Sequence, residues 1–282
     1  MAAVPPGRFG ASGPRIVVVH DSKVSPDEVT WPRLGVIRAR GSEVEYTTVA
    51  VDWMPHGPAS DLEAACLVPG TDDELLALES GYYQGRFGRL FHLQLGGTSE
   101  APTARVLGAA QLPSDIGEAE GLACTHGAEV DEVLVILGER EISPNSHAVL
   151  HWARIDLSVL ADTLDLTTRA YPGAATLPLT RVISDLFVDE RSRLWAAAAE
   201  DGGEAGPYRS VVYLMGEVDG SSTAPLKLLA TPLVVAQVHH LKIEGLTGPI
   251  VPGSWLSVGT EDESLGAFWF PLIAQNVQLG HR

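Results

Sequence analysis

Five carboxylates, Asp21, Glu79, Glu139, Glu200 and Glu261, each close a short apolar run and follow one another at 58, 60, 61 and 61 residues. The runs are VVVHD, LLALE, LVILGE, AAAAE and LSVGTE. Ahead of four of these acids stands a second recurring segment: DLEAA (61–65), EAEGLA (118–123), ISDL (183–186) and KIEGL (242–246). A chain that repeats at such a period stacks one supersecondary unit on the next, because no single unit buries its apolar face alone.

The unit is made of strands. Gly (29) and Pro (19) are too frequent among the 282 residues for long helices. Between them lie β-branched and aromatic runs such as IVVVHD (16–21), VEYTTVAVDW (44–53), RLFHLQL (89–95) and RSVVYLMGEV (209–218). Only LSVLADTL (157–164) carries a helix-like pattern, and it reads equally well as loop. Each unit is strand a, a turn, strand b ending in the acid, a polar loop, strand c and strand d. Roughly 60 residues with four strands make one propeller blade. The chain is therefore expected to be all-β: a five-bladed β-propeller in a single domain over 14–282, preceded by a flexible segment, 1–13. The alternative is a β-sandwich with accidental spacing. The first unit lacks an obvious inner strand, and the last lacks an obvious outer one.

Composition narrows the partners. With 36 acidic and 19 basic side chains the formal charge is −17, which argues against a nucleic-acid backbone. Nothing approaches the apolar run that a membrane span needs. The first 13 residues lack the basic-then-apolar order of a signal peptide. The two cysteines, Cys66 and Cys124, are too few for a disulfide scaffold and read as buried packing residues. The expected setting is the reducing cytoplasm, with no membrane and no nucleic acid involved.

Strands a and b form an antiparallel hairpin, so the start of a and the end of b share one edge. That places Glu63, Glu120, Ser184 and Glu244 around the axis, on the face that also receives the five repeated acids. The loops and connections on this face add Lys23, His56, Arg140, Asp185 and His240, which break the repeat. Converging carboxylates suit a hard cation such as Ca²⁺, with Glu63, Glu120, Asp185 and Glu244 as the expected ligands. Without a metal, crowded carboxylates raise one another's pKa and can divide into proton donor and base. Glu63, Glu120, Glu244, His56, His240, Lys23 and Arg140 are the candidate catalytic groups. The plainer reading is that a carboxylate repeated in every blade accepts backbone N–H groups and ties turns together. No GxSxG elbow, Walker A loop, GxGxxG or HExxH motif is present.

The segments DLEAACLVPGTDDELLALESG and EAEGLACTHGAEVDEVLVILGER resemble the repeats of bacterial phytase-like propellers, the "esterase-like activity of phytase" group. They are similar also to SdiA-regulated propellers. Those repeats pair a D-x-E-G-[LI]-[AT] strand with one ending in S-E or D-E. The likeness covers roughly residues 61–265. It departs where Ala64-Ala65 replaces Gly-Leu and Ser184 replaces the third glutamate. The resemblance implies a propeller linked to calcium and to ester or phosphoester hydrolysis. The expected function is a hydrolase-like or lyase-like enzyme acting on a small molecule at the acidic axial mouth, with Ca²⁺ as the candidate assistant. The alternative is a non-catalytic binding or sensor propeller for a cationic ligand or a protein partner.

Overall fold

The apolar runs that precede the repeated acids become the second strands of five blades. In the computed structural model, which describes residues 1–5, 15–21, 32–40, 43–81, 88–140, 149–160, 163–170, 181–200, 206–261 and 266–273, each blade is a separate small sheet. Blade 1 comprises β1 (Ala2–Val4), β2 (Arg15–Val19), β3 (Leu34–Arg40) and β4 (Glu43–Thr48). A short strand, β5 (Ala50–Asp52), then runs parallel to the outer strand of blade 2. Blade 2 proper is β6 (Leu62–Leu67), β7 (Glu74–Glu79), β8 (Arg89–Gly97) and β9 (Pro102–Gln111). Blade 3 is β10 (Ala119–His126), β11 (Glu132–Glu139), β12 (Val149–Asp156) and β13 (Thr167–Ala170). Blade 4 is β14 (Arg181–Val188), β15 (Arg193–Glu200), β16 (Arg209–Val218) and β17 (Leu226–His239). Blade 5 contributes β18 (Ile243–Thr247), β19 (Ser254–Thr260) and β20 (Trp269–Ile273). The architecture is a five-bladed β-propeller, antiparallel within each blade apart from β5. Among the described residues of the segment with the helix-like pattern, the helical part is a 3₁₀ turn, Leu157–Val159.

Blades pack face to face, so a middle strand is covered on both sides and reads as a continuous apolar run rather than an alternation. In β15, Leu194 to Ala199 are all buried. The core consequently lies between blades. Leu62, Phe91 and Leu93 meet Val17 and Leu34 across the first seam. Leu78 and Leu90 meet Leu122 and Val135 across the second. Leu134 and Ile136 meet Ile183 and Tyr213 across the third, and Trp195 and Val212 meet Ile243 and Val258 across the fourth. Removing one such side chain, as in Leu78→Ala, is expected to cost about 2–5 kcal/mol.

The ring closes through the N-terminus. The segment 1–13 was expected to be flexible and outside the propeller, but Ala2–Val4 is the innermost strand of blade 1, paired with Arg15–Val17. Ala2 and Val4 are buried, Ala3 N–H donates to Thr247 Oγ1 at 2.7 Å, and β1 packs on both β6 and β18. Three residues ending at a proline are too short to register as a strand from sequence. Residues 6–13 lie outside the described residues. Among the described residues, no helix is long and apolar enough to cross a membrane.

Candidate functional site

Each recurring inner-strand residue sits in a β-bulge. Leu62 pairs with Glu79 and Ala64 with Leu78, which leaves Glu63 as the extra residue. Glu120 is likewise skipped between Ala119 and Gly121, Ser184 between Ile183 and Asp185, and Glu244 between Ile243 and Gly245. A bulge leaves its residue out of the ladder and re-aims the side chain. The glycine that follows has a packing reason. A Cβ on Gly121 would come within 2.8 Å of Leu186 Cγ, so the next blade's inner strand can approach only a glycine there.

Three of the four bulged residues carry carboxylates into one cluster. Asp21, Asp61 and Glu63 each offer an oxygen within 4.8 Å of the others. Asp61 is buried and holds a left-handed backbone, φ 61°, which aspartate tolerates better than most residues. Burial, and then the charges of Glu120, Asp21, Asp61 and Glu244, push the Glu63 carboxyl well above the usual range. Glu120 is pushed up to about 7 by burial, against the pull of Arg140 and Lys242. Arg140 Nη1 lies 2.8 Å from Glu120 and 3.8 Å from Glu118. Lys242 Nζ lies 2.6 Å from Glu244. Glu261 shares a hydrogen bond with Glu244, and this bond, with burial and the Glu244 charge, raises its carboxyl to about 8. Among the described residues, the mouth thus combines the carboxylates of Asp21, Asp61, Glu63, Glu120, Glu244 and Glu261 with the cations of Arg140 and Lys242.

The five acids that end the second strands divide into two kinds. Glu79 accepts from Ser60 N–H at 2.7 Å and holds Arg89 through both oxygens at 2.8 Å. Glu139 accepts from Gly117 N–H at 2.7 Å and lies 3.1 Å from His151 Nε2. Burial works to raise the Glu139 carboxyl, but the hydrogen bonds from His151 and Gly117 outweigh it and hold it low. Glu200 pairs with Arg209 at 3.1 Å. These three tie strand c to strand b, and two of them also tie the loop entering strand a. Asp21 and Glu261 belong to the mouth instead.

Asp185 was expected among the metal ligands, and its position removes it from that set. It follows the bulge by one residue, and successive strand residues point to opposite sides. The fully buried carboxylate accepts from Leu186 N–H at 2.8 Å and Leu246 N–H at 2.6 Å, with the Met1 amine 3.4 Å away. It ties blade 4 to blade 5. Ser184, at the bulge itself, donates to Ile243 O at 2.6 Å. His56 and His240 are exposed residues of the connections into β6 and β18, and neither ring contacts the carboxylate cluster among the described residues. His56 takes part through its carbonyl, which accepts from Arg89 at 2.8 Å. Lys23 lies outside the described residues.

Two mouth residues escaped the sequence reading. Asp61 opens the DLEAA segment, and Lys242 is one of only three lysines in the chain, two residues before Glu244. The reading of the cysteines is also corrected. Cys66 and Cys124 form a disulfide between β6 and β10, with Cα atoms 6.1 Å apart. Their separation of 58 residues nearly equals the repeat, which puts them opposite each other on neighbouring inner strands.

No family model matches the chain, and no curated protein matches it.

Proposed function

We propose that the protein is a hydrolase-like or lyase-like enzyme working on a small molecule at the axial mouth, with Ca²⁺ held by Asp21, Asp61 and Glu63. The observation that carries this reading is the approach of their three oxygens to within 4.8 Å of one another. Two ligands about 2.4 Å from a common Ca²⁺ can be no more than about 4.8 Å apart, so the spacing suits such an ion. Glu120 and Glu244 stand close enough to be felt by Glu63 and can supply further oxygens or outer contacts. A bound cation would supply Lewis-acid polarisation of a carbonyl or phosphoryl oxygen.

The remaining groups divide the other tasks. Glu120 and Glu261, raised to about 7 and about 8, are suited to hold or accept a proton near neutral pH. Arg140 and Lys242 place positive charge where a negative transition state would develop. The likeness of the DLEAA and EAEGLA segments to phytase-like propellers supports an ester or phosphoester as substrate. The second reading, a non-catalytic sensor for a cationic ligand, is favoured by the excess of carboxylates over cations at the mouth. The cytoplasmic placement expected from composition has to accommodate the Cys66–Cys124 bond, since disulfides in reducing compartments are usually redox-active.

The test is turnover of a panel of carboxylate esters, phosphomonoesters and phosphodiesters, with Ca²⁺ or with a chelator. One class should be hydrolysed with Ca²⁺ present, and a folded Glu120→Gln variant should lose that activity. Activity unchanged by both the chelator and Glu120→Gln would contradict the assignment. Absence of turnover with retained Ca²⁺ binding would favour the sensor.

A further inference from the structure

We propose that the Cys66–Cys124 bond is a redox-modification site that holds the innermost strand carrying Glu63 against blade 3, so that its reduction weakens cation binding at the mouth. The proposal rests on the reading of that mouth as a Ca²⁺ site. Cys66 follows Glu63 by three residues on β6, and Cys124 follows Glu120 by four on β10. At about 3.3 Å per strand residue, the bridge lies roughly 10–13 Å along the same two strands from the carboxylates. The disulfide therefore joins the two innermost strands that bring Glu63 and Glu120 together.

The link at this seam acts on a strand that carries a cation ligand, because β6 holds Glu63, whose oxygen lies within 4.8 Å of those of Asp21 and Asp61. With only two cysteines in the chain, this is the one seam that an internal disulfide can hold. The other described seams rely on apolar packing and hydrogen bonds such as those of Asp185. Without the bond, this seam keeps its apolar packing and contacts such as the Leu164 N–H bond to Gln111 O at 2.9 Å, far from the inner strands. A looser seam lets β6 shift, and with it Glu63 relative to Asp21, which spoils the oxygen spacing a cation needs.

The reduced state is also provided for. Cys124 Sγ lies 3.1 Å from Leu67 O, so a thiol there has an acceptor and leaves no buried orphan. Cys66 is the more exposed of the pair and offers the point of attack. A dithiol reductant supplies the two electrons. One of its thiolates attacks Cys66 Sγ, breaking the S–S bond and releasing Cys124 as a thiolate that takes up a proton. The second reductant thiol, as thiolate, then attacks the mixed disulfide, closing the reductant's own disulfide and freeing Cys66, which is protonated in turn.

The experiment uses the full chain purified without reductant. Thiols are titrated in denaturant, and Ca²⁺ binding is measured by calorimetry before and after dithiol treatment and on a Cys66→Ser/Cys124→Ser variant. The untreated protein should show no free thiol, and the reduced protein two. Reduced wild type should bind Ca²⁺ about tenfold more weakly, in the range usual for coupled sites. The double variant should match the reduced protein whether or not reductant is present. If that variant does not fold, oxidised and reduced wild type decide the matter alone. Free thiols in the air-exposed protein, or equal Ca²⁺ affinity in both redox states, would overturn the redox coupling while leaving the cation site in place. Absence of Ca²⁺ binding in every state would refute the cation site itself, and the coupling with it.

Discussion

Glu63 and Glu120 occupy the same bulge in successive innermost strands, yet Glu120 has Arg140 at 2.8 Å while Glu63 faces Asp21 and Asp61. Repetition supplies the placement of both side chains, and their neighbours make them chemically different. Glu63 sits where adding positive charge relieves repulsion. Glu120 sits where positive charge, that of Arg140 and Lys242, is already present.

Replacing these two residues should therefore have different effects. Glu63→Gln copies the shape of the protonated acid, so the metal-free protein should melt at the same temperature or higher at pH 8. The rise in melting temperature that Ca²⁺ gives the wild type should vanish. Glu120→Gln should keep most of that rise and lose turnover. Thermal melts with and without Ca²⁺ on both variants would check this, and an unchanged Ca²⁺ effect in Glu63→Gln would count against the assignment.

Asp185 is expected to matter for stability alone. Asp185→Ala strips the acceptor from the Leu186 and Leu246 N–H groups. Each buried donor left unpaired costs about 1–3 kcal/mol. Urea unfolding should show the loss, and Ca²⁺ affinity of the folded variant should stay at the wild-type value.

Arg89 makes a parallel case on the blade 2 tie, where it holds Glu79 through both oxygens and caps the His56 and Pro58 carbonyls. Arg89→Ala leaves a nearly buried carboxylate with only the Ser60 N–H, a change of the kind that costs about 3–5 kcal/mol. Chemical denaturation should detect it, again without a change in Ca²⁺ affinity measured by calorimetry.

Stability of the metal-free protein should fall as pH rises from about 5 to about 8. The folded state keeps a proton on Glu120 up to about 7 and on Glu261 up to about 8, whereas the unfolded chain releases both near 4.5. More protons on the folded state means that stability declines through this window, by at most about 1.4 kcal/mol per pH unit for each proton retained. The more exposed Glu261 should contribute less than Glu120. Saturating Ca²⁺, which binds the deprotonated carboxylates, should flatten the decline. Denaturation curves at several pH values would read both effects.

Much of this organisation is legible in the sequence because a blade is a local object. The spacing of Asp21, Glu79, Glu139, Glu200 and Glu261 locates the second strands, and DLEAA, EAEGLA and KIEGL locate Glu63, Glu120 and Glu244 on the inner ones. What escapes is what depends on register or on contacts between blades. Ser184 and Asp185 are neighbours, and only the bulge decides that the serine takes the glutamate's place while the aspartate turns into the next seam. The pairing of Ala2–Val4 with Arg15–Val17 likewise joins residues that no local pattern connects, and the 58-residue spacing of Cys66 and Cys124 tells of a bond only once the blades stand side by side. Lys242 and Asp61 do not stand out because each precedes its glutamate by two residues, as a flank of the motif rather than its centre.

The central claim is that Asp21, Asp61 and Glu63 bind a divalent cation at the axial mouth. Calorimetric titration of Ca²⁺ into the oxidised wild-type protein at pH 7.5, beside Glu63→Gln, tests it most directly. One site per chain, with proton release on binding and no measurable heat in the variant, is the predicted result. No binding to wild type, or the same binding to Glu63→Gln, would contradict it.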